Sequence, residues 1–158
     1  MIDLSRLSDR RALLLALGLK VLVISCMLWE QDRWPFGPGA FAYAHGDADT
    51  YLVPIDNLVE HGNYTPDLRM PGLGAVYFLP RMLFGRQGGM NAIGVLQALL
   101  GALCVVVLMR SAQRLGANGR MATLVFLVAA LGLWTNSYDL YLLAESFCIS
   151  AVILSFHF

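Results

Sequence analysis

Charged residues are scarce in this chain of 158 residues, at 14%, whereas hydrophobic residues make up 58%. A soluble domain has about 25% charged and about 45–50% apolar residues. The mean hydropathy is +0.62, and the apolar residues are grouped in blocks. These features predict an integral membrane protein of the all-α class, built from several membrane-spanning helices.

An excess of either charge sign is also absent, because 11 basic residues balance 11 acidic ones. Without a basic surface the sequence does not indicate a nucleic-acid partner. Cysteine is limited to Cys26, Cys104 and Cys148, each inside an apolar block. Their odd number and apolar surroundings argue against a disulfide framework and against a zinc site.

Four apolar segments are interpreted as membrane spans: about residues 12–29, 91–109, 121–138 and 140–158. A span needs about 20 mostly apolar residues, so the third segment is marginal. Another apolar segment, Leu73–Phe84, is shorter and contains Pro80 and Arg81. We expect it to lie on the membrane surface or to re-enter the membrane, with Arg81 reaching the polar interface.

The arginines predict the orientation, because short cytoplasmic segments are enriched in basic residues. Two groups matter, one before the first span and one between the second and third: Arg6, Arg10 and Arg11, then Arg110, Arg114 and Arg120. The N-terminus and loop 110–120 are therefore expected in the cytoplasm, and loop 30–90 outside a plasma or inner membrane. The alternative is a signal peptide cleaved at Ala42-Tyr43-Ala44, which the polar residues 30–33 disfavour.

The external loop contains a run dense in carboxylates, from His45 to Gly72, in which Asp47 and Asp49 stand two positions apart. One of these carboxylates is suited to accept a proton from a hydroxyl group, or the pair to bind a divalent cation. The alternative is that they cap a helix starting near Thr50, where backbone N–H groups favour acids. His45 is a weaker candidate for a metal ligand or proton carrier.

Three further residues are candidates for a polar site near the membrane. Arg69 precedes Met70-Pro71-Gly72 in a rigid turn, from which an arginine can bind a phosphate with two parallel hydrogen bonds. Glu145 and Asp139 flank the start of the fourth predicted span, on the same predicted side as Asp47 and Asp49. Lys20, in the middle of the first span, is expected to pair with another helix or to face a cavity.

These motifs occur in a recognisable order: Asp47-x-Asp49-x-Tyr51, then Asn57-Leu58-Val59-Glu60-His61-Gly62-Asn63-Tyr64, Arg69-Met70-Pro71-Gly72 and Leu83-Phe84-Gly85. The order resembles the first external loop of GT-C glycosyltransferases, in the group of protein O-mannosyltransferases and lipid A aminoarabinose transferases. A second span, a basic cytoplasmic loop and an external acid follow in the same order.

The resemblance implies a membrane enzyme that transfers a sugar from a polyprenyl-phosphate donor to a hydroxyl of a glycan, lipid or protein. It implies that Asp47 or Asp49 is the general base, Arg69 binds the donor phosphate, and Glu145 is a second external acid, with Asp139 as the alternative. It names no certain cofactor. Such enzymes are several times longer, so we expect this chain to be the N-terminal part of one, with activity in the full-length form.

Two interpretations from other classes are kept beside the enzyme. In the first, the protein is a non-catalytic membrane subunit or scaffold whose acidic loop binds a partner protein. In the second, it is part of a transporter in which Glu145 and Lys20 line a polar path.

Overall fold

The computed structural model describes residues 3–31, 39–42, 47–65, 72–142 and 144–156, and for Asp47 it describes the backbone alone. Every regular element within these ranges is helical, as the composition predicted. In chain order they are a 3-10 turn Leu4–Arg6 and helices α1 Asp9–Glu30, α2 Asp47–His61, α3 Gly72–Arg114, α4 Gly119–Leu131, α5 Leu133–Leu140 and α6 Ala144–Ser155.

Two helices among the described residues, α1 and α3, are long and apolar enough to cross a membrane. A third span exists if α4 and α5 count as one, because they are bent by 42° at a break. Helix α6 has 12 residues, fewer than the about 20 that a span needs. The structure therefore supports two or three spans, and the fourth span and the orientation stay predictions.

Helix α3 consists of two halves joined at Gly85, whose backbone is not helical (φ 71°, ψ −175°). This conformation belongs to a region that only glycine occupies readily. The break falls directly after Phe84, which is where the sequence predicted the short apolar helix to end. The first half, Gly72–Phe84, is thus separated from the long half that contains the predicted second span.

The described residues contain two hydrophobic cores. The first joins α1, the second half of α3 and α4, and alanines such as Ala16, Ala102 and Ala122 let these helices approach closely. The second joins α2, both halves of α3 and the segment before α6; its members are Ala42, Ala48, Leu52, Ile55, Leu73, Tyr77, Ile93 and Leu142. This second core positions the candidate site.

The N-terminal residues are fixed by Arg110 near the end of α3. Arg110 Nε lies 2.8 Å from Asp9 Oδ1, and the guanidinium also donates to the carbonyl oxygens of Ser5, at 2.7 Å, and Leu7. The Leu4 amide donates to the Thr123 hydroxyl at 3.0 Å. Arg110 therefore has a structural partner in addition to its predicted role as a topological signal.

Candidate functional site

The first turn of α2 carries the two carboxylates for which the sequence predicted chemistry. The helix begins at Asp47, three positions before the expected start near Thr50, so both acids belong to the helix. Asp49 is half-buried. Ala48, between the two acids, is completely buried in the second core. The acidic turn is therefore held against the protein, and the dipole of α2 favours negative charge there.

The start of α6 adjoins the same core. Leu142 is completely buried there together with Ala48. Glu145 follows Leu142 by three positions, lies in the first turn of α6 and is exposed. Ala48, beside the acids of α2, and Leu142, shortly before Glu145, thus belong to the same hydrophobic core.

A cluster of charged residues fixes α2 on the first half of α3, and we call it the Asp56 cluster: Asp56, Glu60, Tyr77, Arg81 and Arg86. Arg81 Nε lies 2.5 Å from Asp56 Oδ1, and Arg81 Nη2 lies 2.5 Å from Glu60 Oε1. Asp56 and Glu60 are four positions apart on α2, so one guanidinium reaches both. Asp56 and Arg81 are both buried, whereas half of the Glu60 side chain is exposed.

Two more groups complete the environment of Asp56. Arg86 Nε lies 3.1 Å from Asp56 Oδ2, and the Tyr77 hydroxyl donates to Asp56 Oδ1 at 3.3 Å. Tyr77 is completely buried in the second core. The buried phenol thus has a hydrogen-bond acceptor on α2.

The sequence interpretation of Arg81 was wrong. An arginine on an amphipathic surface helix was expected to extend its charge to the membrane interface, yet Arg81 is only 9% exposed. The reason is that Asp56 and Glu60 on α2 offer two carboxylates at the polar face of this helix. Their spacing on α2 was readable in the sequence, but nothing in it showed which helix they would face.

A second cluster of charged and polar side chains lies between the helices, and we call it the Lys20 cluster: Lys20, Asn136, Asp139 and Ser146. Lys20 Nζ lies 2.6 Å from Asp139 Oδ2 and donates to Asn136 Oδ1 at 3.1 Å. The Ser146 hydroxyl donates to Asp139 Oδ1 at 3.4 Å. All four residues are buried, and they belong to α1, α5 and α6.

A cavity of about 80 Å³ adjoins the Lys20 cluster. Its lining includes Lys20, Asp139 and Ser146, and apolar side chains from α3 and α6 such as Val105 and Ile153. Gly101 on α3 faces the ion pair so closely that a Cβ atom there would lie 2.8 Å from Asp139 Oδ2 and 2.8 Å from Lys20 Cε. Four helices therefore surround this ion pair.

The site residues predicted from the sequence are not all found in one part of the structure. Asp49 lies in the first turn of α2 and Glu145 in the first turn of α6. Asp139, the alternative second acid, is instead buried against Lys20, inside the bundle and away from solvent. His45, Arg69 and the side chain of Asp47 lie outside the described residues.

A metal centre was a weaker interpretation of the run that begins at His45. Within the ranges that the structure describes, His, Cys, Asp and Glu side chains form no group of three or more that could hold a metal ion. The side chains of His45 and Asp47 lie outside those ranges.

The break between α4 and α5 was not expected from the apolar pattern. Gly132 directly follows α4, and the side chains of Thr135 and Asn136 donate hydrogen bonds to carbonyl groups around it. The run Thr135-Asn136-Ser137 inside a predicted span was the available signal, because such residues can satisfy backbone groups where a membrane helix is interrupted.

Comparison of the chain with known proteins gave no match to a family model, a curated protein or a solved structure.

Proposed function

We propose that this chain belongs to a membrane glycosyltransferase of the GT-C type. The reaction moves a sugar from a polyprenyl-phosphate donor to an acceptor hydroxyl at the external membrane face. The observation that carries the proposal is the burial of Ala48 and Leu142 in one core. This shared core supports a site to which the acidic first turns of α2 and α6 both contribute.

In the proposed reaction a carboxylate of the α2 turn, Asp47 or Asp49, accepts the proton of the acceptor hydroxyl. The hydroxyl oxygen attacks the anomeric carbon, and the bond from that carbon to the phosphate oxygen breaks. The lipid phosphate leaves with the electron pair, and Arg69 is the candidate for stabilising its charge. General-base assistance of this kind contributes about 10²–10⁴-fold to a rate.

The Asp56 cluster supports the proposal by giving the acidic turn a fixed position. A catalytic side chain works best when its element is rigidly supported, and the buried Asp56–Arg81 pair fixes α2 on the first half of α3. That half also exposes large apolar side chains: Val76, Leu79, Met82, Leu83 and Phe84. An exposed apolar face of this kind suits contact with membrane lipids, which would place the acids near a lipid-linked donor.

The proposal is tested by incubating membranes that contain the protein, expressed from its complete gene, with a panel of radiolabelled polyprenyl-phosphate sugars. We expect one donor to lose its label to an acceptor, and the Arg69→Gln and Glu145→Gln variants to transfer at least about tenfold more slowly. Arg114→Gln, on the basic loop, is the matched control and should transfer normally. Absence of transfer from every donor would contradict the proposal.

A further inference from the structure

The ion pair between Lys20 and Asp139 requires an explanation, because charges inside a membrane segment are expensive. Lys20 is the single lysine of the chain and is only 1% exposed, in the middle of α1. Two buried ions are tolerated when each has a close partner and further hydrogen bonds. Here Asn136 accepts from Lys20, and Ser146 donates to Asp139.

The same asparagine links Lys20 to the break in the third predicted span. Asn136 Nδ2 donates to the carbonyl oxygens of Ala130, at 3.0 Å, and Gly132, at 2.9 Å. Backbone groups released at a helix break must find partners in an apolar environment. The side-chain oxygen of Asn136 is engaged by Lys20, which orients its amide nitrogen towards these carbonyls.

The pair is also linked to the external end of the bundle. Asp139 precedes Leu142 by three positions, and Ser146, its partner on α6, directly follows Glu145. Leu142 and Ala48 are both members of the second core. A contact between apolar surfaces is non-directional, whereas an ion pair with hydrogen bonds fixes one arrangement of the helices.

We propose that Lys20 is a positioning residue. By binding Asp139 and Asn136 it keeps the third span broken at Gly132, and it thereby holds the segment between α5 and α6 against the start of α2. Lys20 itself touches no reacting group in this scheme. The positional role is independent of the reaction, whereas its consequence for catalysis rests on the proposed function.

The positional role of Lys20 is tested with spin labels in a protein whose three native cysteines are replaced. The labels are attached at Val53→Cys on α2 and Val152→Cys on α6, which are both exposed sites. Distances between the labels are measured in lipid nanodiscs by double electron–electron resonance. The informative variant is Lys20→Met combined with Asp139→Leu, because removing both charges leaves no unpaired ion in the core. Val21→Met, on the exposed side of the same helix, is the matched control.

We expect the double variant to insert and to melt near the parent protein, but to show a distance distribution shifted or broadened by several ångströms. The control should give the parent distribution. An unchanged distribution in the double variant would overturn the proposal. If that variant does not accumulate, Asn136→Ala is measured instead, because it keeps the ion pair and removes its link to the break; a parent-like distribution there would also overturn the proposal.

A measurement of sugar transfer by the same variants separates the positional role of Lys20 from the proposed reaction. A folded double variant should lose about tenfold to a hundredfold in kcat with little change in KM, since a displacement of about 1 Å can cost a hundredfold. Normal kcat together with an altered distance would show that the position held by Lys20 does not affect catalysis, and it would leave the proposed reaction standing. Absence of transfer in the parent protein would remove the reaction, and the distance measurement would still decide the positional role.

Discussion

At the scale of single residues, four charged side chains are buried in the part of the chain that the structure describes, each with an opposite charge beside it. Lys20 pairs with Asp139, and Arg81 pairs with Asp56. The sequence showed a lysine inside an apolar segment and predicted that it needs a partner. It could not identify Asp139, because that partner depends on how the break at Gly132 turns α5 towards α1.

Breaking the buried Asp56–Arg81 pair should be far more damaging than breaking the exposed one. Asp56→Asn leaves the Arg81 guanidinium buried without its closest carboxylate, which costs about 3–5 kcal/mol in buried pairs. Glu60→Gln removes a partner that is half exposed and should cost about 1 kcal/mol or less. Thermal unfolding of both variants in the same detergent checks this, and equal losses would contradict our account of the Asp56 cluster.

Adding one methyl group at Gly101 should destabilise the protein. Gly101→Ala places a Cβ atom 2.8 Å from Asp139 Oδ2 and from Lys20 Cε, so the ion pair must open or α3 must move, at about 1–3 kcal/mol. Gly18→Ala is the matched control, because the space beside Gly18 in α1 is open and alanine favours a helix by about 0.5–1 kcal/mol. A Gly101→Ala protein that unfolds at the temperature of Gly18→Ala would refute the contact.

At the scale of elements, the lengths of the apolar segments predicted the helices well, but they predicted the interruptions of the helices less well. The first span, about residues 12–29, lies inside α1, and the end of the short apolar helix coincides with Gly85. The helix end at Gly85 could be predicted from the sequence, because a glycine follows an apolar segment of only about a dozen residues. The break at Gly132 was missed because the apolar pattern continues through it.

The break in α3 should depend on glycine. At Gly85 the backbone φ of 71° with ψ of −175° is accessible to other residues at a cost of about 1–3 kcal/mol. Gly85→Ala should therefore lower the unfolding temperature, or straighten α3 and detach it from α2. Gly72→Ala, at the start of the same helix and with open space around it, should leave the unfolding temperature unchanged. Equal unfolding temperatures of the Gly85→Ala and Gly72→Ala variants would contradict the break at Gly85.

At the scale of the whole molecule, the two cores explain why a short chain can hold a polar site. The core between α1, α3 and α4 is rich in alanine, which lets helices approach closely inside a membrane, and it also contains the larger Met109 and Phe126. The second core supports α2 and the start of α6. The sequence predicted that Asp49 and Glu145 share one side, but the shared core of Ala48 and Leu142 has no sequence signature.

The predicted orientation puts α2 outside and the turn between α3 and α4 inside. Val53 on α2 and Leu115 in that turn are both exposed, so a cysteine at either position is open to thiol reagents. In intact cells a membrane-impermeant maleimide should label Val53→Cys, and Leu115→Cys only after permeabilisation, in a background without native cysteines. Labelling of both positions in intact cells would contradict the positive-inside interpretation.

The central claim is that a carboxylate in the first turn of α2 is the base of a sugar-transfer reaction. Its most direct test is the rate of transfer by Asp47→Asn and Asp49→Asn proteins whose insertion and unfolding temperature match those of the parent. We predict that one of the two loses about 10²–10⁴-fold in kcat, because an amide cannot accept the proton. Near-normal transfer by both variants would contradict the claim.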